Sequence, residues 1–237
     1  MFKRYHDMKQ DFTFKRFSIS QDRCGMKVGT DGVLLGAWSN GGKRVLDIGT
    51  GTGLIALMMA QRFEGAVVDA VEIDGGAASQ ASENVSLSPF HDRVHVINSS
   101  IQDYSASSYN CIVSNPPYFQ NSLKNVDKRR VLARHADLLS YRDLFKSVIR
   151  LLDVNGCFSA VIPVECYGDF VNEALLCGLL PTREYHVKTK ANKSPKRCLL
   201  EFRKSRTDVF DKRTVTMFDE DGEGTEWYSD LVKDFYL

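Results

Sequence analysis

The run Val45-Leu46-Asp47-Ile48-Gly49-Thr50-Gly51-Thr52-Gly53 constrains this chain more than any other stretch. A short apolar strand from Arg44 to Ile48 leads into three alternate glycines, and Leu54 opens a helical pattern that runs to Arg62. A strand that passes through a glycine turn into a helix presents bare backbone, and the amides of the helix start, to a ligand. The dinucleotide fingerprint needs glycines at G-x-G-x-x-G. Gly49 and Gly51 fit that spacing, but the third place is Leu54. Asp47 would also repel a pyrophosphate, and its carboxylate suits a cationic ligand better.

Around this turn, strands and helices alternate. Strands are expected at Val67 to Glu72, Val94 to Ile97, Tyr109 to Ser114, Gly156 to Ile162, Thr182 to Val187 and Cys198 to Phe202. Helices are expected at Gly75 to Leu87, from a Ser140 cap through Leu152, and at Glu165 to Cys177. With Arg44 to Ile48 this predicts an α/β fold, a mixed seven-stranded sheet with helices on both faces. Phe12 to Phe14 and Phe17 to Ile19 read as short strands ahead of it, and Phe119 to Leu139 has no clear element. The expected division is an N-terminal β-type extension at 1–30, a catalytic domain at 31–206 and an acidic tail at 207–237 with a helix from Thr225 to Phe235.

Composition narrows the classes. The longest apolar run, Leu54 to Ala60, is seven residues, far short of the roughly 18 a membrane span needs. The charged N-terminus has no hydrophobic stretch behind it, which argues against a secretory signal. The six cysteines have no zinc spacing and read as reduced, buried thiols, so we expect a cytoplasmic protein with no metal. The net charge of +1 hides a split: residues 207–237 hold nine acids against three bases, and the first 206 residues are +7. The basic excess clusters at Lys124 to Arg142 and at Lys188, Lys190, Lys193, Lys196, Arg197, Arg203, Lys204 and Arg206. Clustered cations suit a polyanion, although a solvated charged face has the same composition.

Asp-x-Gly-x-Gly-x-Gly, with Glu72 nineteen residues beyond Gly53, resembles the S-adenosyl-L-methionine site of Rossmann-like (class I) methyltransferases. Glu72 ends its strand, where an acid can accept hydrogen bonds from a ribose diol. Asn115-Pro116-Pro117-Tyr118 follows the fourth strand and resembles the motif of methyltransferases that act on amino groups of bases or of glutamine. An exocyclic amine is a poor nucleophile because its lone pair is conjugated into the ring. Two acceptors, the Asn115 side-chain oxygen and the Pro116 carbonyl, can take its hydrogens and turn the lone pair toward a methyl group. The prolines fix the turn, and Tyr118 offers a face for stacking.

The resemblance narrows at Phe14 to Phe17, Met26 to Trp38, Ala133-Arg134-His135 and Lys233 to Leu237. These segments are similar to the bacterial tRNA1(Val) (adenine(37)-N6)-methyltransferase family. The resemblance implies transfer of a methyl from S-adenosyl-L-methionine to the N6 amine of adenine 37 in the anticodon loop of that tRNA. It implies a cofactor site of Lys27, Thr30, Asp47, Gly49, Gly51, Gly53, Glu72, Ile101 and Asn115, with Lys27 to Asp31 closing over the methionine end. Asp31 also reads as a helix cap. Catalysis would fall to Asn115, Pro116, Pro117 and Tyr118. Arg134, His135, Lys188, Lys190, Lys193, Lys196 and Arg197 would bind RNA, and we expect a monomer. Ser100 stands where many relatives carry an acid for the cofactor adenine, and Asp103 either takes that role or faces solvent. Three other readings remain open at this point: a ribosomal RNA amino-methyltransferase, a protein glutamine methyltransferase and a catalytically silent RNA-binding protein.

Overall fold

A computed structural model describes residues 11–24, 27–117 and 139–237. In chain order the elements are β1 (Phe12–Thr13), β2 (Ser18–Ile19), α1 (Thr30–Trp38), β3 (Arg44–Ile48), α2 (Leu54–Arg62), β4 (Val67–Glu72), α3 (Gly75–Ser86), β5 (Val94–Asn98) and β6 (Tyr109–Ser114). There follow α4 (Tyr141–Leu151), β7 (Leu152–Pro163), α5 (Tyr167–Leu176), β8 (Leu180–Lys190), β9 (Arg197–Arg203), β10 (Asp211–Phe218) and α6 (Glu226–Val232). The expected α/β architecture is present. Among the described residues the main sheet has eight strands rather than the expected seven, in the order β10-β8-β9-β7-β6-β3-β4-β5.

The eighth strand is β10, which pairs in parallel with β8, Thr216 opposite Lys188 and Phe218 opposite Lys190. It lies in the segment read as an acidic tail. Its one sheet partner leaves it an edge strand, and of its eight residues Met217 alone is buried, so it lacks the apolar alternation that marks the others. The helix after it is shorter than expected, and the Thr225 hydroxyl accepts the Tyr228 N–H at its start.

Leu46 and Ile48 face one side of the sheet, into a core with Leu144, Phe145, Val148 and Phe170 of α4 and α5. Val45 faces the other, into a core with Val33, Leu34, Leu57 and Met58 of α1 and α2. That alternation is the period-two consequence of the pleat. Phe14, Phe17 and Ile19 of the β1–β2 hairpin are buried in the second core together with Phe235. The Lys15 N–H donates to the Phe235 carbonyl at 2.9 Å, which ties the hairpin to the end of the chain.

The strand order reverses between β3 and β6. Chain connections run outward on either side of this point, which leaves a crevice at the carboxyl ends of the central strands. The first turn of helix α1 lines that crevice. Gly36 lets α1 approach α2 closely: a Cβ there would stand 2.7 Å from Met58 Sδ.

Candidate active site

A cleft of about 940 Å³ opens at the switch point. Ile48 and Ser114 are register partners on neighbouring parallel strands, so the glycine turn and the Asn115-Pro116-Pro117 corner begin side by side. Both line the cleft, Asn115 half-buried, Pro116 buried and Pro117 exposed.

In the turn, Gly49, Gly51 and Gly53 have φ of 70°, 58° and 83°, a region that favours glycine. Their roles differ. A Cβ on Gly49 would find no atom within 4 Å, so its bare backbone faces open space, whereas one on Gly53 would touch Ala81 of α3 at 3.5 Å. Gly53 therefore serves the contact between α2 and α3, and it does not line the cleft.

The amides of the turn are largely consumed inside the protein. Gly49 and Thr50 N–H groups donate to the Val71 carbonyl at 2.9 and 3.2 Å, and Gly53 N–H donates to the Thr50 carbonyl at 2.9 Å. Gly51 N–H donates to Glu72 Oε2 at 2.9 Å. A turn that spends its donors in this way is poorly equipped to cradle a phosphate, in agreement with the broken dinucleotide spacing.

Asp47 is a correction. Expected to meet a cationic ligand, it is fully buried beneath the turn and does not line the cleft. It shares the face of β3 that points at α2. Its Oδ2 accepts the Thr50 hydroxyl at 2.6 Å and the Ala56 N–H at 3.1 Å, while Oδ1 has no hydrogen-bond partner. Burial pushes its carboxyl up to about 7, against the opposing effect of those two hydrogen bonds. Asp47 thus ties the turn to the start of α2.

Glu72 ends β4 at the cleft wall. Its Oε1 accepts the Asp74 N–H at 3.0 Å, in addition to the Gly51 bond on Oε2. A carboxylate has about four acceptor sites, so two N–H bonds leave capacity for a diol. Val71, Ile73 and Ile101 add apolar surface beside it. Neither Ser100 nor Asp103 lines the cleft. The Ser100 hydroxyl donates to Asp103 Oδ2 at 2.7 Å, which occupies both within the β5–β6 loop. Ser99 and Gln102 line it instead, and no local pattern in the chain singles them out.

Lys27, Thr30 and Asp31 also line the cleft. The helix cap is Gly29, not Asp31, which sits in the first turn of α1. Its Oδ2 accepts Arg197 Nε at 2.7 Å, and Arg197 also lines the cleft. Lys188, Lys190, Lys193 and Lys196 lie on the β8–β9 hairpin outside the cleft but at the same sheet edge. Tyr118, Arg134 and His135 fall outside the described residues.

Among the described residues no group of three or more His, Cys, Asp or Glu could hold a metal. A second arrangement has the outline of a nucleophile: Cys198 Sγ lies 3.6 Å from His186 Nδ1, and His186 Nε2 lies 2.6 Å from Glu184 Oε1. Cys198 is fully buried and burial pushes its thiol up to about 12, the reverse of nucleophile activation.

The family described as "Methyltransferase small domain" matches residues 26–140. Over 232 residues the chain is 46% identical to the tRNA1(Val) (adenine(37)-N6)-methyltransferase of Bacteroides fragilis, covering 95% of this chain and 97% of that protein. The protein of the same name from Trichodesmium erythraeum is 47% identical over 233 residues, with the same coverage. The chain belongs to this family.

Solved structures place the family member among methyltransferase folds. A predicted O-methyltransferase from Agrobacterium tumefaciens aligns with a TM-score of 0.67 at 17% identity, over 86% of this chain and 96% of that one. A glycopeptide N-methyltransferase complexed with S-adenosyl-L-methionine aligns with a TM-score of 0.54 at 14% identity, over 76% and 90%. Among the described residues no helix of this family member is long and apolar enough to cross a membrane.

Proposed function

We propose that this protein transfers a methyl group from S-adenosyl-L-methionine to the N6 amine of adenine 37 in tRNA1(Val), acting in the cytoplasm. The observation that supports this most is the register of Ile48 with Ser114, which sets the glycine turn and the Asn-Pro-Pro corner at one cleft. Donor and acceptor sites share a wall.

The residues present fit the donor. The bare backbone of Gly49 leaves room for close approach, and the turn shows no amide cradle that would favour a polyphosphate. Glu72 would accept hydrogen bonds from the ribose diol, Val71, Ile73 and Ile101 would sandwich the adenine, and Gln102 or Ser99 would meet its polar edge. Lys27 and Thr30 lie on the wall where the amino-acid end would rest. S-adenosyl-L-methionine supplies an electrophilic methyl group on a sulfonium.

The chain's own part is orientation. Asn115 Oδ1 and the Pro116 carbonyl accept the two hydrogens of the target amine, so its lone pair is no longer held in conjugation with the ring. The diproline backbone keeps those acceptors aimed, which places the gain in alignment and excluded water rather than in a strong base. An anticodon-loop base is unpaired, so extruding it costs less than flipping one from a duplex. The hairpin lysines supply phosphate contacts at the same edge.

Incubation with unmodified tRNA1(Val) and methyl-labelled donor, followed by nuclease digestion and nucleoside analysis, tests the reading. Label in N6-methyladenosine at position 37 supports it. Label in another nucleoside, or in ribosomal RNA but not tRNA, overturns it.

A further inference from the structure

Arg197 stands out because its surroundings do not match those of a phosphate-reading arginine. It opens β9, and its backbone is gripped on both sides, opposite Pro163 of β7 and Val187 of β8. The backbone of Lys196 beside it donates to the Val187 carbonyl at 2.9 Å and accepts the Val164 N–H at 3.3 Å. The guanidinium is fixed as well: Nε donates to Asp31 Oδ2 at 2.7 Å and Nη1 to the Lys196 carbonyl at 3.0 Å. The pair is partly shielded, with side-chain exposures of 35% for Arg197 and 20% for Asp31.

Asp31 belongs to the first turn of α1, directly after Lys27 to Thr30 at the cleft wall. The helix cannot secure that end itself, since its cap is Gly29 with no side-chain hydrogen bond. Residues 166 apart in the chain thus meet at the cleft that both line. One comes from the first turn of α1 and the other from β9, which β7 alone separates from β6, the strand that ends at the Asn115 corner.

We infer that Arg197 is a positioning residue of the donor site: through Asp31 it holds the start of α1, and with it Lys27 to Thr30, against the cleft. This rests on the methyl-donor reading of that cleft. It reassigns Arg197 from RNA phosphate contact to donor-site closure. The RNA-facing charge of the hairpin then falls to the four lysines.

The test uses the full chain with Arg197→Gln, Asp31→Asn, and the exchange Asp31→Arg with Arg197→Asp. Three quantities are measured: the dissociation constant of S-adenosyl-L-homocysteine by calorimetry without RNA, amide hydrogen exchange of residues 27–33 in the ligand-free protein, and the salt dependence of tRNA binding. Each single variant weakens S-adenosyl-L-homocysteine about fivefold and speeds exchange at 27–33. The exchanged pair returns both toward the parent values, and the salt slope stays the same throughout. Unchanged affinity and exchange in the single variants overturn the inference, as does a salt slope that falls by about one with Arg197→Gln. If the parent protein itself does not bind S-adenosyl-L-homocysteine, the donor reading fails, while hydrogen exchange still decides whether the ion pair holds the segment.

Discussion

The Ser114 hydroxyl donates a 2.9 Å hydrogen bond to the Ile48 carbonyl, joining the last residues of two parallel strands just before both chains turn into the cleft. Ser114 is buried, so the bond is shielded from water. It fixes the spacing between the turn that follows Ile48 and the corner that follows Ser114. The proposed reaction depends on that spacing.

Asn115→Ala separates the two halves of the site. The variant should lose turnover by about a hundredfold or more while its affinity for S-adenosyl-L-homocysteine stays within about twofold, because Asn115 is assigned to the target amine. Single-turnover rates and calorimetry read the two quantities. Equal losses of both would return Asn115 to the donor site.

Gly49 and Gly53 share a backbone conformation but not a neighbourhood. Alanine at either costs about 1 kcal/mol of stability through the left-handed backbone. Only Gly49→Ala should also weaken S-adenosyl-L-homocysteine, since its new methyl enters the cleft and that of Gly53→Ala meets Ala81. Denaturant titration with calorimetry distinguishes them, and matching binding losses would mean the turn is merely a fold element.

Asp47 gives stability a pH signature. Its folded carboxyl is pushed up to about 7 from 3.8, so between those values the folded chain holds a proton the unfolded chain has released. That raised value makes its contribution to stability fall as pH rises from about 4 to 7, then level off. Asp47→Asn does not titrate. The parent should therefore lose on the order of 2–4 kcal/mol relative to the variant between pH 4 and pH 8. Urea midpoints across that range measure it, and parallel curves would contradict the assignment.

Reversing Lys188, Lys190 and Lys193 to Glu should weaken tRNA binding and lower its salt slope by about 2, since each phosphate left unneutralised takes about 0.7–0.9 off the slope. Filter binding from low to moderate salt provides the slope. A slope that does not move would make the hairpin a solvated face.

Much of this is legible in the chain because local pattern and burial agree. The β3 strand and the α2 helix are found where expected, as apolar runs on either side of a glycine turn. The β10 strand is not, because Asp211-Lys212-Arg213 opens it and acids follow it, so composition outweighs pattern. Asp47 is distinctive in sequence, yet its side of the turn is not written there. Only the pleat, with Val45 and Asp47 toward α2, shows that it lies beneath the turn and outside the cleft. The Asp31–Arg197 pair has no local signal at all, since its partners are brought together by the order β7-β9-β8 and by the seating of α1.

A structure with S-adenosyl-L-homocysteine bound tests the central claim most directly. The account predicts the sulfur opposite Asn115 Oδ1 and the Pro116 carbonyl, across a gap that an amino group fills. A corner turned away from the sulfur, or closed onto it with no space between, would contradict it.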